Sequence, residues 1–237
     1  KTYLMQNDKI IPFYHEENEL FNVRCIIEDK NGNIYLAAGF RGLFKYSNNN
    51  LKHYKKEDGL IWNDLLYLYC DNDNVLWVAT SRGLFRLKNE KFTYYPMEGK
   101  AKDPMLFSCL EDKYGQLWIS TNTGILKVNK NELNDYADGK ISDFQVQFFG
   151  KDDGMLSTEC NGGAQPCSAI TNDGRIWFPT MNGIAAIDPD KVIDIDSIVP
   201  NIVIESVKIN DSILTEKNII EKTASNDRIE IQYAALS

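Results

Sequence analysis

One block of strand and turn text recurs along the chain with its turns in phase, and few folds are compatible with it. From Leu66 it reads LYLYCDNDNVLWVATSRGLFRLKNEKFTYY. Apolar, β-rich runs at 75–80, 84–87 and 92–95 are separated by turn-forming residues at 71–74, 81–83 and 89–90. No run is long enough or helically periodic enough to predict a helix. The text returns at Ile27, Leu110 and Ala169. Its second strand carries an aromatic anchor, Tyr35, Trp77, Trp118 or Trp177, and its third strand opens on Gly42, Gly83, Gly124 or Gly183. Those glycines are 41, 41 and 59 residues apart. A period of about 40–50 residues with four strands per unit is the pattern of propeller blades. The expected fold is all-β: a partial β-propeller of about four and a half blades, followed by the first strands of a β-sandwich.

Each repeated residue has an expected task. The aromatic anchors should be largely buried between neighbouring blades, since aromatic rings carry the most apolar area. Gly32, Gly115 and Gly174, with Asn74 in the second copy, should take positive φ in the first turn. Residues 1–14 read as the last two strands of a blade, because TYLMQNDKIIPFY lies in register with LFRLKNEKFTYY. Blades follow at 21–54, 65–95 and 105–149. The third holds a longer connection at 130–142, with one helical turn expected at 130–134. The fourth shows strands near 167–171, 175–179 and 183–187, and no fourth strand. After Asp188-Pro189 the repeat ends. Alternating strands at 200–209 and 227–233 flank a turn at Asn210-Asp211. The expected domains are thus 1–196, propeller, and 197–237, the start of a sandwich.

Composition excludes several classes. A net charge of −8 speaks against a nucleic-acid partner, whose phosphates need a basic face. No run reaches the length of a membrane helix. The cysteines, Cys25, Cys70, Cys109, Cys160 and Cys167, are odd in number, and four lie in or beside first strands. That is the pattern of small buried residues, with a Cys160–Cys167 pair across a loop as the alternative. His15 and His53 stand apart, so neither a metal nor a cofactor is expected.

The form E-D-x-x-G-x-[LI]-W-[IV]-[AS]-T-x-x-G-[LI], met nearly letter for letter at Glu111–Thr121, resembles two-component regulator propeller repeats. The run Asp153-Gly154-Met155-Leu156-Ser157-Thr158-Glu159-Cys160-Asn161 resembles that family's segment before the final blade. Asn182-Gly183 and Asp188-Pro189 resemble its ending, and 200–236 resembles the start of the triple-tyrosine sandwich that follows. Tyr35 in place of Trp is a departure. The resemblance implies the ligand-sensing, periplasmic part of an inner-membrane hybrid two-component sensor histidine kinase and response regulator. It also implies an oligosaccharide as input, and kinase and membrane attachment only through parts outside this chain. No catalysis is expected here.

In a four-strand meander the second-to-third-strand loops and the blade connectors share one face, and loops on a rigid scaffold commonly carry binding. That places Arg41, Trp62, Asn63, Asp64, Arg82, Asn122, Glu159, Asn161 and Asn182 as candidate ligand residues. Fixed polar groups beside an apolar stacking face suit a sugar, and Trp62 is the sharpest candidate. Packing or solvated turn roles are the plain alternative. Two other functions compete: a protein-interaction scaffold, and a propeller glycosidase or lyase using paired carboxylates among Asp64, Asp152, Asp153 and Glu159. Against the enzyme, Asp58-Gly59 and Asp153-Gly154 recur in equivalent connectors, which points to a turn role. Self-association is also expected, through uncovered blade faces and through Ile202, Ile204, Ile229 and Ile231.

Overall fold

The computed structural model describes residues 3–6, 9–12, 22–97, 99–101, 104–192, 201–210, 212–213 and 228–236. The chain divides into two units, Lys1–Lys191 and Val192–Ser237. In the first, β1 (Tyr3–Gln6) and β2 (Lys9–Pro12) form an antiparallel hairpin. The first complete blade follows as β3 (Cys25–Glu28), β4 (Ile34–Ala37), β5 (Leu43–Ser47) and β6 (Asn50–Tyr54). The second is β7 (Leu65–Cys70), β8 (Leu76–Thr80), β9 (Gly83–Lys88) and β10 (Lys91–Pro96). The third is β11 (Leu106–Glu111), β12 (Gln116–Thr121), β13 (Ile125–Asn129) and β14 (Gln147–Phe149). The fourth has three strands, β15 (Ala169–Ile170), β16 (Ile176–Thr180) and β17 (Gly183–Ile187). Each sheet is an antiparallel meander, and β3, β7 and β11 pack side by side, so the first strands form the inner rim of the arc. The Gln165 side chain, ahead of the fourth blade, returns to β3 and bonds both the N–H and the C=O of Ile26 at 2.8 Å.

In the second unit β18 (Asn201–Ile209) lies between β19 (Ser212–Ile213) and β20 (Ile229–Leu236). Ile204, Ile229 and Ile231 are exposed. The expected boundary at 196/197, the side chain of Ile202, and Pro200, Asp211 and Asp227 lie outside the described residues.

A carboxylate ties each central blade to its anchor. Asp71 Oδ1 accepts the backbone N–H groups of Asp73 and Val75 at 2.9 Å, and its Oδ2 accepts the Trp77 indole N–H at 3.0 Å. Asp112 does the same for Tyr114, Gln116 and Trp118, the last at 2.7 Å. Burying a carboxylate costs several kcal/mol unless donors replace water, and three N–H groups do so here. In the first blade Tyr35 has no indole N–H, and Asp29 Oδ2 takes the Asn33 amide at 2.8 Å instead. Asn74, Gly32, Gly115 and Gly174 take positive φ, as their turn positions require.

Tyr35, Trp77 and Trp118 are buried. Trp177 is not: it is only half-buried, contrary to the expectation for all four anchors. The reason is its position. Opposite Tyr35, Trp77 and Trp118 on the third strand stand Lys45, Arg86 and Lys127, whereas opposite Trp177 stands Ala186. Among the described residues of the first unit no further blade follows β17. The glycines tell the same story. A Cβ on Gly124 would sit 2.4 Å from the Phe149 carbonyl, because the fourth strand passes close by, while at Gly183 it would meet nothing within 4 Å. The helical segment is longer than expected: α1 (Lys130–Ala137) is capped by Asn129 Oδ1, which accepts from Asn131 and Glu132, and it buries Leu133. All five cysteines are free.

Polar clasps close the blade joints at the end holding the first turns. Glu90 accepts from Lys45 at 2.8 Å and from Lys52 and Tyr54 at 2.7 Å. Lys130 Nζ lies 2.5 Å from Glu111, 3.2 Å from Asp73 and 3.6 Å from Asp71. Asp190 takes Lys113 Nζ at 2.6 Å and the Tyr114 hydroxyl at 2.7 Å. Partial burial opposes the charge on Glu90, but its three donors prevail and hold its carboxyl down at about 2.

Two outcomes follow. Trp118→Ala should cost about 3–5 kcal/mol in chemical denaturation, the range for emptying a buried aromatic site. Trp177→Ala should cost distinctly less, roughly half as much, because its ring is less completely buried. Equal losses would contradict the terminal-blade reading. The depressed carboxyl of Glu90 stabilises the fold above its ordinary pKa of 4.5, and that contribution disappears as pH falls toward about 2. Because the group is half exposed, the effect should be only about 1 kcal/mol. Glu90→Gln should flatten that part of a stability–pH curve.

Candidate ligand-binding site

At the other end of the arc the second-to-third-strand loops meet the connectors. In the second and third blades this loop is a tight turn. Thr80 and Thr121 Oγ1 donate to the carbonyl of Gly83 and Gly124, at 2.7 and 2.8 Å, and accept the glycine N–H in return. In the first blade Ala38 stands in that place and the loop is one residue longer. It folds as a single 3-10 turn, Gly39–Arg41, which leaves Phe40 70% exposed. His53 stacks on Phe44 and its Nε2 donates to the Arg41 carbonyl at 2.8 Å, which holds the loop in place.

Arg24, just before β3, lies with its guanidinium 5.2 Å from the Phe40 ring centre and donates to Asp64 Oδ1 at 3.2 Å. The Asp64 carbonyl accepts the Ser81 N–H at 3.3 Å, joining the connector to the next blade's loop. Beside it the Arg82 guanidinium lies 4.5 Å over the Trp62 ring. The Asn63 side chain borders Gly42, where an added Cβ would stand 3.5 Å from Oδ1. Arg41, Trp62, Asn63, Asp64 and Arg82 therefore share one stretch of surface between the first and second blades.

The other four candidates sit elsewhere, around the third and fourth blades, in bonds that shape the backbone. Asn122 Oδ1 accepts the Met105 N–H at 2.7 Å. The Glu159 carbonyl accepts the Met181 N–H at 2.9 Å, and Asn161 donates to the carbonyls of Pro179 and Thr180. The Asn182 N–H donates to Thr180 Oγ1 at 3.3 Å. Asn182 also borders a cavity of about 370 Å³ that runs along β17, walled by Asp153, Met155, Leu156, Ser157 and Ile184.

Trp62 does not present a bare stacking face. Arg82 covers the ring, its body packs on the core, and its N–H is buried without a partner. The exposed ring is Phe40. Its signal in the sequence is the extra loop residue, seven positions from Tyr35 to Gly42 against six from Trp77 to Gly83. Arg24 had no signal, because only the fold brings it to Asp64. The connectors at 55–59 and 150–154 fold alike: Asp58 accepts the Lys55 N–H and Asp153 the Gly150 N–H, both at 2.8 Å, before a left-handed Gly59 or Gly154. Among the described residues no group of three or more His, Cys, Asp or Glu is placed to hold a metal.

If Arg82 is a lid on Trp62, then in a Trp177→Phe background Arg82→Ala should make indole fluorescence more accessible to acrylamide, since Trp77 and Trp118 are fully buried and contribute little. Unchanged quenching would show that Trp62 is shielded by something else.

No family model matches the chain, and no curated protein matches it. Solved structures do. The extracellular domain of the hybrid two-component system BT3049 from B. thetaiotaomicron superposes on 91% of this chain with a TM-score of 0.64 and 23% identity. Two structures of BT4673 from the same organism, named as extracellular domains of a hybrid and of a one-component system, cover 71% and 77% of it with TM-scores of 0.57 and 22% and 21% identity. The chain spans only 28%, 24% and 27% of these three structures. Its fold is the one found in the extracellular domains of hybrid two-component systems.

Proposed function

We propose that this chain belongs to the ligand-sensing, extracytoplasmic region of a hybrid two-component sensor. In this reading the region detects an oligosaccharide and passes the signal across the inner membrane to a histidine kinase and response regulator. The fold likeness supports the sensor role, and the observation that carries the ligand reading is the surface between the first and second blades. There an exposed Phe40 stands beside fixed polar groups on loops anchored to rigid sheets. An aromatic face with convergent polar groups is what a sugar ring needs. The carboxylate at the centre of that surface, Asp64, is paired with Arg24, and Asp153 is spent on a turn, so neither is presented as a free acid or base. No helix among the described residues is long and apolar enough to cross a membrane, and anchoring is assigned to other parts of the sensor.

The test is to incubate the intact extracellular region with glycan fragments and to follow binding by calorimetry and products by chromatography. Saturable binding with no new reducing ends is expected. Steady product release would make the protein a glycosidase or lyase, and capture of a protein ligand with no glycan bound would make it a scaffold.

A further inference from the structure

The surface between the first and second blades departs in charge from the rest of the molecule. The chain carries 34 acidic residues against 26 Lys and Arg. The segments around this connector, in contrast, carry Arg24, Arg41, Arg82, Lys55 and Lys56 against Glu57, Asp58 and Asp64. Arg24 is satisfied by Asp64 at 3.2 Å. Arg41 and Arg82 are exposed, and neither has a carboxylate partner among the described residues. Elsewhere cations find acids across the blade joints, as Lys45 does with Glu90 and Lys130 with Asp73. The two unpaired arginines stand on the loops of adjacent blades, one on each side of the connector that carries Trp62 and Asp64.

Arg82 is also held in place. Its guanidinium lies over the Trp62 ring, 4.5 Å from the ring centre, and its carbonyl accepts the Tyr94 hydroxyl at 2.8 Å, which fixes the loop. A stacked guanidinium keeps its in-plane N–H edge free, and that edge matches the two oxygens of a carboxylate or sulfate. Because stacking has already restricted the side chain, little further ordering is lost on binding. Arg41 is the next residue on the turn that lifts Phe40, so the loop of the adjoining blade carries both a second exposed guanidinium and an exposed apolar ring.

We infer that this site takes an anionic sugar, with Arg82 and Arg41 holding a carboxylate or sulfate group and Phe40 against the apolar face of an adjoining ring. The inference rests on the reading of this surface as a glycan site. It adds the ligand's charge, which that reading leaves open.

The intact extracellular region would be titrated by calorimetry with oligogalacturonate, which offers carboxylates, and with carrageenan oligosaccharide, which offers sulfates. Cello-oligosaccharide serves as the neutral probe and inorganic sulfate as the bare anion. At least one acidic sugar should bind, the neutral one at least about tenfold more weakly, the size of one charge-assisted hydrogen bond. Which acidic sugar binds identifies the anion. Binding should weaken as ionic strength rises from about 0.01 M to about 0.15 M, where the Debye length falls from roughly 30 Å to roughly 8 Å. Arg41→Gln and Arg82→Gln should each weaken it at least about tenfold, and Phe40→Ala should weaken sugars but not sulfate. Arg82→Lys keeps the charge and loses the fork, and should fall between wild type and Arg82→Gln. Equal binding of the neutral sugar, unaffected by either Gln variant, would overturn the anionic assignment and leave the glycan reading standing. Acidic binding that ignores both Gln variants would place the anion elsewhere and overturn the inference. No binding by any sugar would overturn both readings.

Discussion

The fold depends on a short bond made at the start of each central blade. An aspartate ends the first strand, folds the turn with one carboxylate oxygen and holds the indole N–H six residues later with the other. That geometry fixes where the second strand begins and which way its largest side chain points. With the ring aimed into the joint, the blade presents apolar surface that only another blade can cover. Turn and packing are therefore coupled through a single buried side chain. Removing that side chain would leave three N–H donors without acceptors in a site closed to water.

The fourth blade shows what the joint supplies. It carries nearly the same residue text as the second and third, yet Trp177 is half-buried and its N–H goes to Thr171 instead of an aspartate. Ala186 stands where the other blades carry a cation, and Gly183 faces open space where Gly124 faces the backbone of a fourth strand. The same local sequence thus gives the same turns and hairpins but not the same burial. Local bonds specify the blade, and its neighbour specifies the environment of its anchor.

The two ends of the arc have separate roles. Ion pairs and tyrosine hydroxyls gather where the first turns lie and stitch one blade to the next. At the opposite end the loops are held by backbone bonds and threonine hydroxyls, and their arginines have no such partners.

The sequence by itself determined the repeat, the blade limits to within a few residues, the positive-φ turns and the role of the connector aspartates. These depend on contacts between residues a few positions apart, so spacing and residue type suffice. The longer helix at 130–137 escaped because its stability comes from Leu133 and from the Asn129 cap, not from a long periodic run. The site was legible only in outline. Arg41, Asn63, Asp64 and Arg82 could be assigned to loops of one face, and the one-residue insertion marked the Phe40 turn. Only the tertiary structure decided that Trp62 lies beneath Arg82, that Arg24 neutralises Asp64, and that Trp177 stays half exposed. Each of these depends on residues from different blades, whose approach is set by packing and leaves no trace in local order.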